Sequence, residues 1–419
     1  MSLIAVPLPA LPSSAGRITA IHPLTHGGAI SATAEPAEVQ GTASSHCELL
    51  AVNDRAELLH VSLLQGTVRL LTSLHIPDFD PLKPVQIVTD HQGRYAAVSN
   101  RFGRYAVVFA LPHSPVEPAK ELIQLERGDY YTDKSVFPLA FAQLDQQTIL
   151  IHGSDWNRLE LTELPSLQSL ASRPLPDSDE AGESSTESDG HSLPFLNYFH
   201  GRLHVSPDGS QIADTGWVWQ PVGLVGAWSL REWLNQPWAS ENGSSLHHFF
   251  QTEDWDLPAA WVDHEHLALW GRVDTDLLDE EDYEEFGSKP VVVIYHVPTG
   301  QLFYAAKNVP SYLRSTAFVP SSECFPYPLG DMAVAGDRLF FWGRSVPLHV
   351  WQLPPMSTAS GTGTDSGQIV DEPASETAYT AAPEPVTTRE FYEAIYHPDA
   401  ALFIDLQAEG RLQAFRLED

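Results

Sequence analysis

The chain has 419 residues, of which 55 are acidic and 23 are basic, so its formal net charge is −32 at pH 7. This acidity argues against nucleic acid or anionic lipid as a partner, because both would require a basic face. A hydrophobic share of 43% excludes a disordered chain and is ample for a large core.

The cysteine content and the hydropathy pattern bear on the compartment. The chain has two cysteines, Cys47 and Cys324. Two are too few for a disulfide framework, and this low content fits a reducing environment. The sequence contains no run of about 18 apolar residues, so it predicts no membrane span. The first 16 residues are apolar but contain three prolines and no positively charged region, which is not typical of a signal peptide. We therefore expect a cytoplasmic protein that does not bind a membrane.

A short pattern recurs along the chain. It is a β-rich run, often with an aromatic residue, followed by one residue, then Leu or Val, then a turn, as in LLHVSLLQG (58–66) and LHVWQLPP (348–355). Seven copies at intervals of 48 to 67 residues predict seven equivalent units. The anchor residues of the copies are Val61, Phe109, Thr162, Trp228, Tyr295, Trp351 and Phe415.

Two further strands with a tight turn between them precede most anchors. The turns are rich in Asp, Gly, Asn and Pro, as short hairpins require, and lie at 90–93, 144–147, 206–209, 263–266, 335–338 and 397–400. The strands after the turns include two nearly identical runs, LALWGR (267–272) and LFFWGR (339–344). Each unit is thus predicted to be a four-stranded antiparallel meander, with one helix at 229–236 and no β–α alternation.

These units resemble the WD-repeat class of β-propellers over nearly all of the chain. The resemblance implies an all-β fold, a seven-bladed β-propeller of four-stranded antiparallel blades forming a single domain over residues 1–419. Six or eight blades, or an array of two-sheet sandwiches, remain alternatives. The family's Gly-His pair is missing, so we expect the blades to lack its usual buried hydrogen-bond network. The family's characteristic Asp is also replaced in every copy, by Ser62, Ala110, Glu163, Ser229, His296, Gln352 and Arg416.

The last unit ends after its third strand, so a fourth strand must come from elsewhere in the chain. The run GRITAIHPL (16–24) is our candidate for this N-terminal closing strand. Pairing the first strand with the last would close the ring and remove both sheet edges.

Three acidic segments, 177–190, 273–288 and 357–388, interrupt the repeat and together hold 19 acidic residues and no basic one. Their composition predicts flexible insertions. We place the first between units three and four, the second between strands two and three of unit five, and the third between units six and seven. In a propeller these connections all lie on one face, which we call the loop face. The opposite turn face carries the tight turns between first and second strands.

Exposed Trp and Arg are typical of interaction hot spots, and several lie in predicted connections of the loop face. The alternative is that the tryptophans pack between blades and the arginines pair with acidic neighbours. The candidate partner-binding residues are Arg101, Arg104, Trp156, Trp219, Arg272, Trp342, Arg344, Asp279, Glu280, Glu281 and Asp282.

Signals for catalysis or metal binding are weak. His264 and His266 could chelate a metal, but they lie in a predicted turn without a third ligand, which favours a solvated polar turn. The acidic run 274–285 lacks the ligand spacing of a calcium loop. No nucleophile elbow, phosphate loop or dinucleotide motif occurs, so we expect no catalytic residues, metal or other cofactor. Cys47 and Cys324 are interpreted as small buried apolar residues.

The sequence therefore favours a monomeric, non-enzymatic interaction scaffold that presents an acidic, loop-rich face to a protein partner, and the charge of that face favours a basic partner. The alternative from another class is a propeller hydrolase or lactonase with its site at the mouth of the central channel. A third interpretation is that the acidity serves solubility alone.

Overall fold

The computed structural model describes most of the chain. Its described residues are 1–25, 47–112, 114, 116–172, 197–219, 222–252, 256–272, 290–306, 309, 330–343, 346–353, 384–385, 391 and 393–418. Among these residues, no helix is long and apolar enough to cross a membrane.

Seven antiparallel sheets, or blades, follow one another along the chain. The first strand, β1 (Ser2–Val6), belongs to the last blade. Blade one consists of β2 (Ile18–Pro23), β3 (Glu48–Asn53), β4 (Glu57–Ser62) and β5 (Thr67–Ser73). Blade two consists of β6 (Val85–Thr89), β7 (Tyr95–Asn100), β8 (Tyr105–Ala110) and β9 (Lys120–Glu126). Blade three consists of β10 (Leu139–Leu144), β11 (Gln147–Asp155), β12 (Arg158–Leu164) and β13 (Ser169–Leu170).

Blade four has two extra strands. It consists of β14 (Tyr198–Phe199), β15 (Leu203–Val205), β16 (Gln211–Asp214), β17 (Trp217–Val218), β18 (Val222–Ser229) and β19 (His247–Thr252). Blade five consists of β20 (Ala259–Trp261), β21 (His266–Arg272), β22 (Pro290–His296) and β23 (Gln301–Ala306). Blade six consists of β24 (Gly330–Ala335), β25 (Arg338–Gly343), β26 (Val346–Gln352) and β27 (Glu384–Pro385). Blade seven consists of β28 (Ala394–His397), β29 (Leu402–Leu406), β30 (Leu412–Glu418) and β1.

The blades form a ring around a central channel. Among the inner strands, β2 contacts β6 and β28, β10 contacts β6 and β15, and β20 contacts β15 and β24. Blades six and seven are joined by a shared hydrophobic cluster that includes Phe340 and Phe403. The predicted seven-bladed β-propeller is thus confirmed.

Hydrophobic clusters between neighbouring blades form the core. Leu50 and Val52 of blade one, for example, share a cluster with Val98 and Val107 of blade two, and all four are at most 1% exposed. Because a middle strand has a blade on each side, it must be apolar on both faces, which explains its unbroken apolar runs. All seven predicted anchors lie on third strands, namely β4, β8, β12, β18, β22, β26 and β30.

The predicted helix is confirmed as α1 (Leu230–Asn235), whose first turn is capped by the Ser229 side chain accepting from the Glu232 N–H. A short second helix, α2 (Ala239–Asn242), was not predicted. Buried Leu230 and Trp233 of α1 belong to the cluster between blades three and four. Both helices lie between β18 and β19 and so extend only the edge of blade four.

Ring closure by an N-terminal strand is confirmed, but the predicted strand was wrong. Strand β1 pairs with β30, from Ser2 opposite Glu418 to Val6 opposite Ala414. The predicted segment 16–24 contains β2, which is the inner strand of blade one. Residues 2–6 and 16–24 are both apolar and β-rich. Because β2 is required beside β3 in blade one, only β1 remains to complete blade seven.

The position of the third acidic segment also differs from the prediction. Glu384 and Pro385, inside 357–388, pair with Val350 and His349 of β26. The chain from 354 to 383 therefore joins the third and fourth strands of blade six, and it does not connect blades six and seven. It leaves β26 beside the tight turn of that blade, where the Leu353 N–H donates to the Asp337 carbonyl, so it begins on the turn face. Segments 177–190 and 273–288 lie outside the described residues.

Blade four also corrects the expectation that the buried hydrogen-bond network would be missing. His200 Nδ1 lies 2.6 Å from Asp214 Oδ2, and both residues are at most 2% exposed. The Gly201 N–H donates to the other carboxylate oxygen at 2.9 Å. This pair connects the strand that enters blade four to the end of β16.

Removing β1 tests ring closure. We expect deletion of residues 1–6 to lower the melting temperature by about 5 °C or more, because β30 loses its partner and Leu3 and Val6 lose their apolar contacts. The change is measured by calorimetry on the full chain and the deletion variant. The control is Ile4→Thr at an exposed position of the same strand, which should leave the melting temperature nearly unchanged. Equal melting temperatures for the deletion variant and the full chain would contradict the closure role.

Candidate interaction surface on the loop face

Six aromatic side chains from blades three and four and the connections that enter them meet on the loop face. We call this group the aromatic patch. Two rings come from the connection between β9 and β10, one from the turn between β11 and β12, and three from the entry and extension of blade four. They belong to Tyr130, Tyr131, Trp156, Phe199, Trp217 and Trp219.

The base of the aromatic patch is a buried stack. The Phe199 and Trp217 rings lie 3.8 Å apart at an angle of 3°, and each residue is 2% exposed. The Trp217 Nε1–H donates to Ser135 Oγ at 2.9 Å, which satisfies the one polar group of the indole. The stack therefore has a fixed position and orientation.

The extra strands of blade four hold this stack in place. Strand β14 pairs with β17, so Phe199 lies opposite Trp217 in the register. The Tyr198 hydroxyl donates to the Leu224 carbonyl at 2.8 Å and accepts from the Gly216 N–H at 2.9 Å. A Cβ at Gly216 would lie 2.2 Å from the Phe199 carbonyl oxygen, so only glycine permits this close approach.

A buried arginine shapes the loop that carries the two tyrosines. Arg127 is 2% exposed and donates to the carbonyls of Gly103 at 2.9 Å, Thr132 at 3.1 Å, Ser135 at 2.6 Å and Val136 at 2.8 Å. Burial lowers its pKa to about 9, so the guanidinium remains charged at neutral pH. Arg127 is the first residue after β9, and its side chain bonds to Thr132, Ser135 and Val136 further along the connection, so it fixes the path of the chain between β9 and β10.

The remaining rings form the accessible part of the aromatic patch. Tyr130 is 49% exposed, Tyr131 37% and Trp219 51%, and Trp156 is half-buried. Tyr130, Trp156 and Trp219 line a hollow of about 310 Å³ together with Phe199 of the base and Asn197. Three of the ten large apolar side chains exposed in the described part of the chain thus converge on one spot. A contiguous exposed aromatic surface of this kind is typical of an interaction site.

A second feature of the loop face is the mouth of the central channel, a cavity of about 570 Å³. Its wall comes from blades one, two, four, six and seven. Arg202 before β15 and Asp331 on β24 form an ion pair across it, with 3.2 Å between Nη1 and Oδ1. Arg101, from the turn after β7, also faces this cavity. We call this site the channel mouth.

A buried carboxyl group lies near the channel mouth. Asp256 is 2% exposed, its Oδ1 accepts from the Arg202 N–H at 3.1 Å, and its Oδ2 has no hydrogen-bond partner among the described residues. Burial raises the pKa of Asp256 to about 6, and the charge of Asp214 acts in the same direction, whereas Arg101, the Arg202 N–H and Arg127 oppose it. Part of this carboxyl population is therefore protonated in mildly acidic solution.

The candidate residues predicted from the sequence have different environments. Trp156 and Trp219 belong to the aromatic patch, and Arg101 lines the channel mouth. Trp342, which is 3% exposed, packs between blades six and seven and donates from Nε1 to the Ala394 carbonyl at 3.1 Å. Arg104 pairs with an acidic neighbour, since its Nε lies 3.0 Å from Glu126 Oε1. The alternative interpretation from the sequence therefore applies to Trp342, which packs between blades, and to Arg104, which pairs with an acidic neighbour.

The other candidates add little to the site. Arg272 is the last residue of β21. Five lie outside the described residues, namely Arg344, Asp279, Glu280, Glu281 and Asp282. Partner binding by any of the candidates stays a prediction.

Sequence reasoning missed four of the six rings, Tyr130, Tyr131, Phe199 and Trp217. The available signal was adjacency, since Tyr130–Tyr131, Tyr198–Phe199 and Trp217–Trp219 are aromatic runs in connections outside the repeat.

The histidine-containing turn at 263–266 is stabilised by its own contacts. His266 Nδ1 lies 2.9 Å from Asp263 Oδ2, and the backbone N–H groups of Glu265 and His266 donate to Asp263 Oδ1. No group of three His, Cys, Asp or Glu side chains among the described residues could hold a metal ion. Cys47 is fully buried, as predicted, and burial raises the pKa of its thiol to about 12, whereas Cys324 lies outside the described residues.

The chain matches no protein-family model, and no curated protein matches it. Among similar solved structures, a chain of Kuenenia stuttgartiensis hydrazine synthase is 13% identical, with a TM-score of 0.50 over 88% of this chain and 92% of that one. The WD40 repeats of RRP9 are 10% identical, with a TM-score of 0.47 over 98% and 100%. A chain of the mitotic checkpoint complex is 12% identical, with a TM-score of 0.47 over 90% and 88%. In fold, the chain is a seven-bladed β-propeller. At such identities the likeness shows the fold alone.

Substitution of Arg127 tests its role in the loop. We expect Arg127→Met to lower the free energy of unfolding by about 3 kcal/mol, because four buried carbonyls lose their donor. The control is Arg104→Met, which removes an exposed ion pair and should change the free energy of unfolding much less. Chemical denaturation measures both. Similar costs for the two variants would show that Arg127 has no special structural role.

The raised pKa of Asp256 predicts a pH dependence. A carboxyl whose pKa is higher in the folded than in the unfolded state stabilises the fold at low pH, and this contribution is lost as pH rises through the folded value. Between about pH 5 and about pH 7, the free energy of unfolding of the wild-type protein should therefore fall by about 1 kcal/mol relative to that of Asp256→Asn. Denaturation curves at both pH values measure the difference. A constant difference between the two proteins would contradict the raised pKa.

Proposed function

We propose that the protein is a non-enzymatic interaction scaffold that binds a protein partner on its loop face through the aromatic patch. The observation that carries this proposal is the convergence of exposed Tyr130, Tyr131 and Trp219 over the buried stack of Phe199 and Trp217. Soluble proteins rarely expose such a contiguous apolar group without an interaction role.

The aromatic patch is suited to binding because its rings are ordered in advance. Trp156 packs on Phe199 with 4.5 Å between ring centroids, and Tyr130 contacts Trp156 at 5.3 Å. Tyr131 contacts Trp219 at 5.4 Å and has a φ of +52°, an unfavourable conformation for a bulky residue that its surroundings must maintain. A partner would therefore order few side chains on binding, which reduces the entropy cost of association.

Charge favours a basic partner segment. The acidic segment 177–190, with six acidic residues and no basic one, ends seven residues before Asn197 on the wall of the hollow. Seven residues span at most about 25 Å, so the end of this segment is connected to the wall of the hollow over no more than that distance. An Arg or Lys side chain is also attracted to the faces of Trp and Tyr rings. Acidic charges and aromatic rings thus favour the same basic, partly apolar segment.

No observation favours the hydrolase or lactonase alternative, because the described residues bring together no group of metal ligands at the channel mouth. Acidity for solubility alone leaves the aromatic patch unexplained. A monomeric state and a cytoplasmic location stay predictions from the sequence.

Binding of synthetic peptides tests the proposal. We expect peptides that combine Arg or Lys with apolar residues to bind the full chain, and matched peptides with Glu in place of the basic residues not to bind. Trp219→Ala should raise Kd about tenfold or more, because the ring provides apolar area and a cation–π partner. The matched control is Leu302→Ala, since Leu302 is 48% exposed on β23 and lies outside the aromatic patch. Fluorescence anisotropy of labelled peptides provides the affinities.

Ionic strength provides a second readout. Affinity for the basic peptides should fall as salt rises from about 0.05 M to about 0.15 M, since acidic segments attract them over long distances. Equal affinities for Trp219→Ala and Leu302→Ala would exclude the aromatic patch as the binding site. A preference for the Glu peptides would exclude a basic partner.

A further inference from the structure

The channel mouth differs from the aromatic patch in shape and in charge. Its volume of about 570 Å³ lies within the usual range of about 300–1,000 Å³ for small-molecule pockets. Apolar side chains, among them Leu82, Phe102 and Ile395, share its wall with charged ones. The cavity therefore has both the room and the mixed lining that a small organic molecule requires.

Its charge is opposite to that of the whole chain. Among the described residues of the lining, four are basic, namely Arg17, Lys83, Arg101 and Arg202, and two are acidic, namely Asp331 and Glu393. The complete chain has 23 basic residues against 55 acidic ones. Basic side chains are thus concentrated at the channel mouth, a cleft whose protein walls strengthen their electrostatic field.

Arg101 is the critical residue of this site. It is half-buried, and its guanidinium, which lies 5.6 Å from the Phe102 ring centroid, has no hydrogen-bond partner among the described residues. The Asp331 carboxylate, which also lines the cavity, forms its ion pair with Arg202. A half-buried guanidinium offers five N–H donors to the cavity, and an anion would supply acceptors for them.

The pKa of Arg101 is consistent with this environment. Burial lowers it, the charge of Arg202 acts in the same direction, and the carboxylates of Asp256, Asp331 and Glu393 oppose the effect. These carboxylates influence the guanidinium through space without hydrogen-bonding to it. Two histidines near the channel add no positive charge at neutral pH, because burial lowers the pKa of His22 to about 4 and that of His204 well below its ordinary value.

We propose that the channel mouth binds a small organic anion, whose carboxylate or phosphate group pairs with the Arg101 guanidinium. Lys83 and Arg17 add attraction from the rim, and the organic part of the ligand lies against Phe102 and Leu82. A planar guanidinium can bind either anionic group through two parallel hydrogen bonds. The site is separate from the aromatic patch and does not depend on the proposed protein interaction.

Calorimetric titration of the full chain tests this site. The probes are citrate as the carboxylate, glycerol phosphate as the organic phosphate, inorganic phosphate, and glycerol as the uncharged blank. At least one of the two organic anions should bind saturably, more tightly than inorganic phosphate, and glycerol should not bind. The organic probe that binds identifies the anionic group. Arg101→Gln should raise its Kd about tenfold or more.

The matched control is Arg104→Gln, which removes an equal charge from the same turn at a side chain that pairs with Glu126 and does not line the cavity. It should leave Kd unchanged. If Arg101→Gln does not fold, Lys83→Gln takes its place, because Lys83 is exposed and its loss should still weaken binding. Absence of saturable binding, or equal effects of the cavity and control variants, would overturn the proposal. Trp219→Ala should bind the anion normally, which separates this test from that of the protein interaction.

Discussion

The pairing of residues 2–6 with 414–418 is the contact on which the rest of the structure depends. It gives blade seven its fourth strand and joins the two ends of the ring. Leu3 then packs toward blade six and Val6 toward blade one, so the closing strand seals both neighbouring interfaces. The channel mouth draws residues from five blades, and these residues face a common cavity only in a closed ring.

Buried polar groups must have hydrogen-bond partners. This requirement explains how the ring carries a surface of defined shape. Arg127 can be buried because four backbone carbonyls accept its hydrogen bonds. Three of them, those of Thr132, Ser135 and Val136, belong to the connection that presents Tyr130 and Tyr131. Trp217 is held in a similar way, by a stacking partner and one hydrogen bond to Ser135. Hydrogen bonds and ring stacking therefore position the base of the aromatic patch, although the patch is built largely from connections.

The sequence predicts the ring well and its surface less well, for physical reasons. Middle strands such as β7 and β25 must be apolar on both faces, so they and the anchors leave a strong periodic signal. Strand β27 has only two residues, too few for any signal, and the third acidic segment was misplaced for that reason. Trp219 and Trp342 occupy similar places in their units, yet one is 51% exposed and the other 3%. Burial depends on the neighbouring blade, which local sequence does not specify.

The distribution of charge on the loop face follows from the fold. Arg101 and Arg104 are three residues apart in one turn, but Arg104 points to Glu126 on the outer strand whereas Arg101 faces the channel. Water and salt screen the charges of acidic loops at the rim. Charges around the narrow channel mouth are screened less, because the protein walls strengthen their electrostatic field on a ligand. A net charge of −32 is therefore compatible with a basic centre on the same face. A basic segment at the rim and a small anion at the centre would then bind without competing for the same charges.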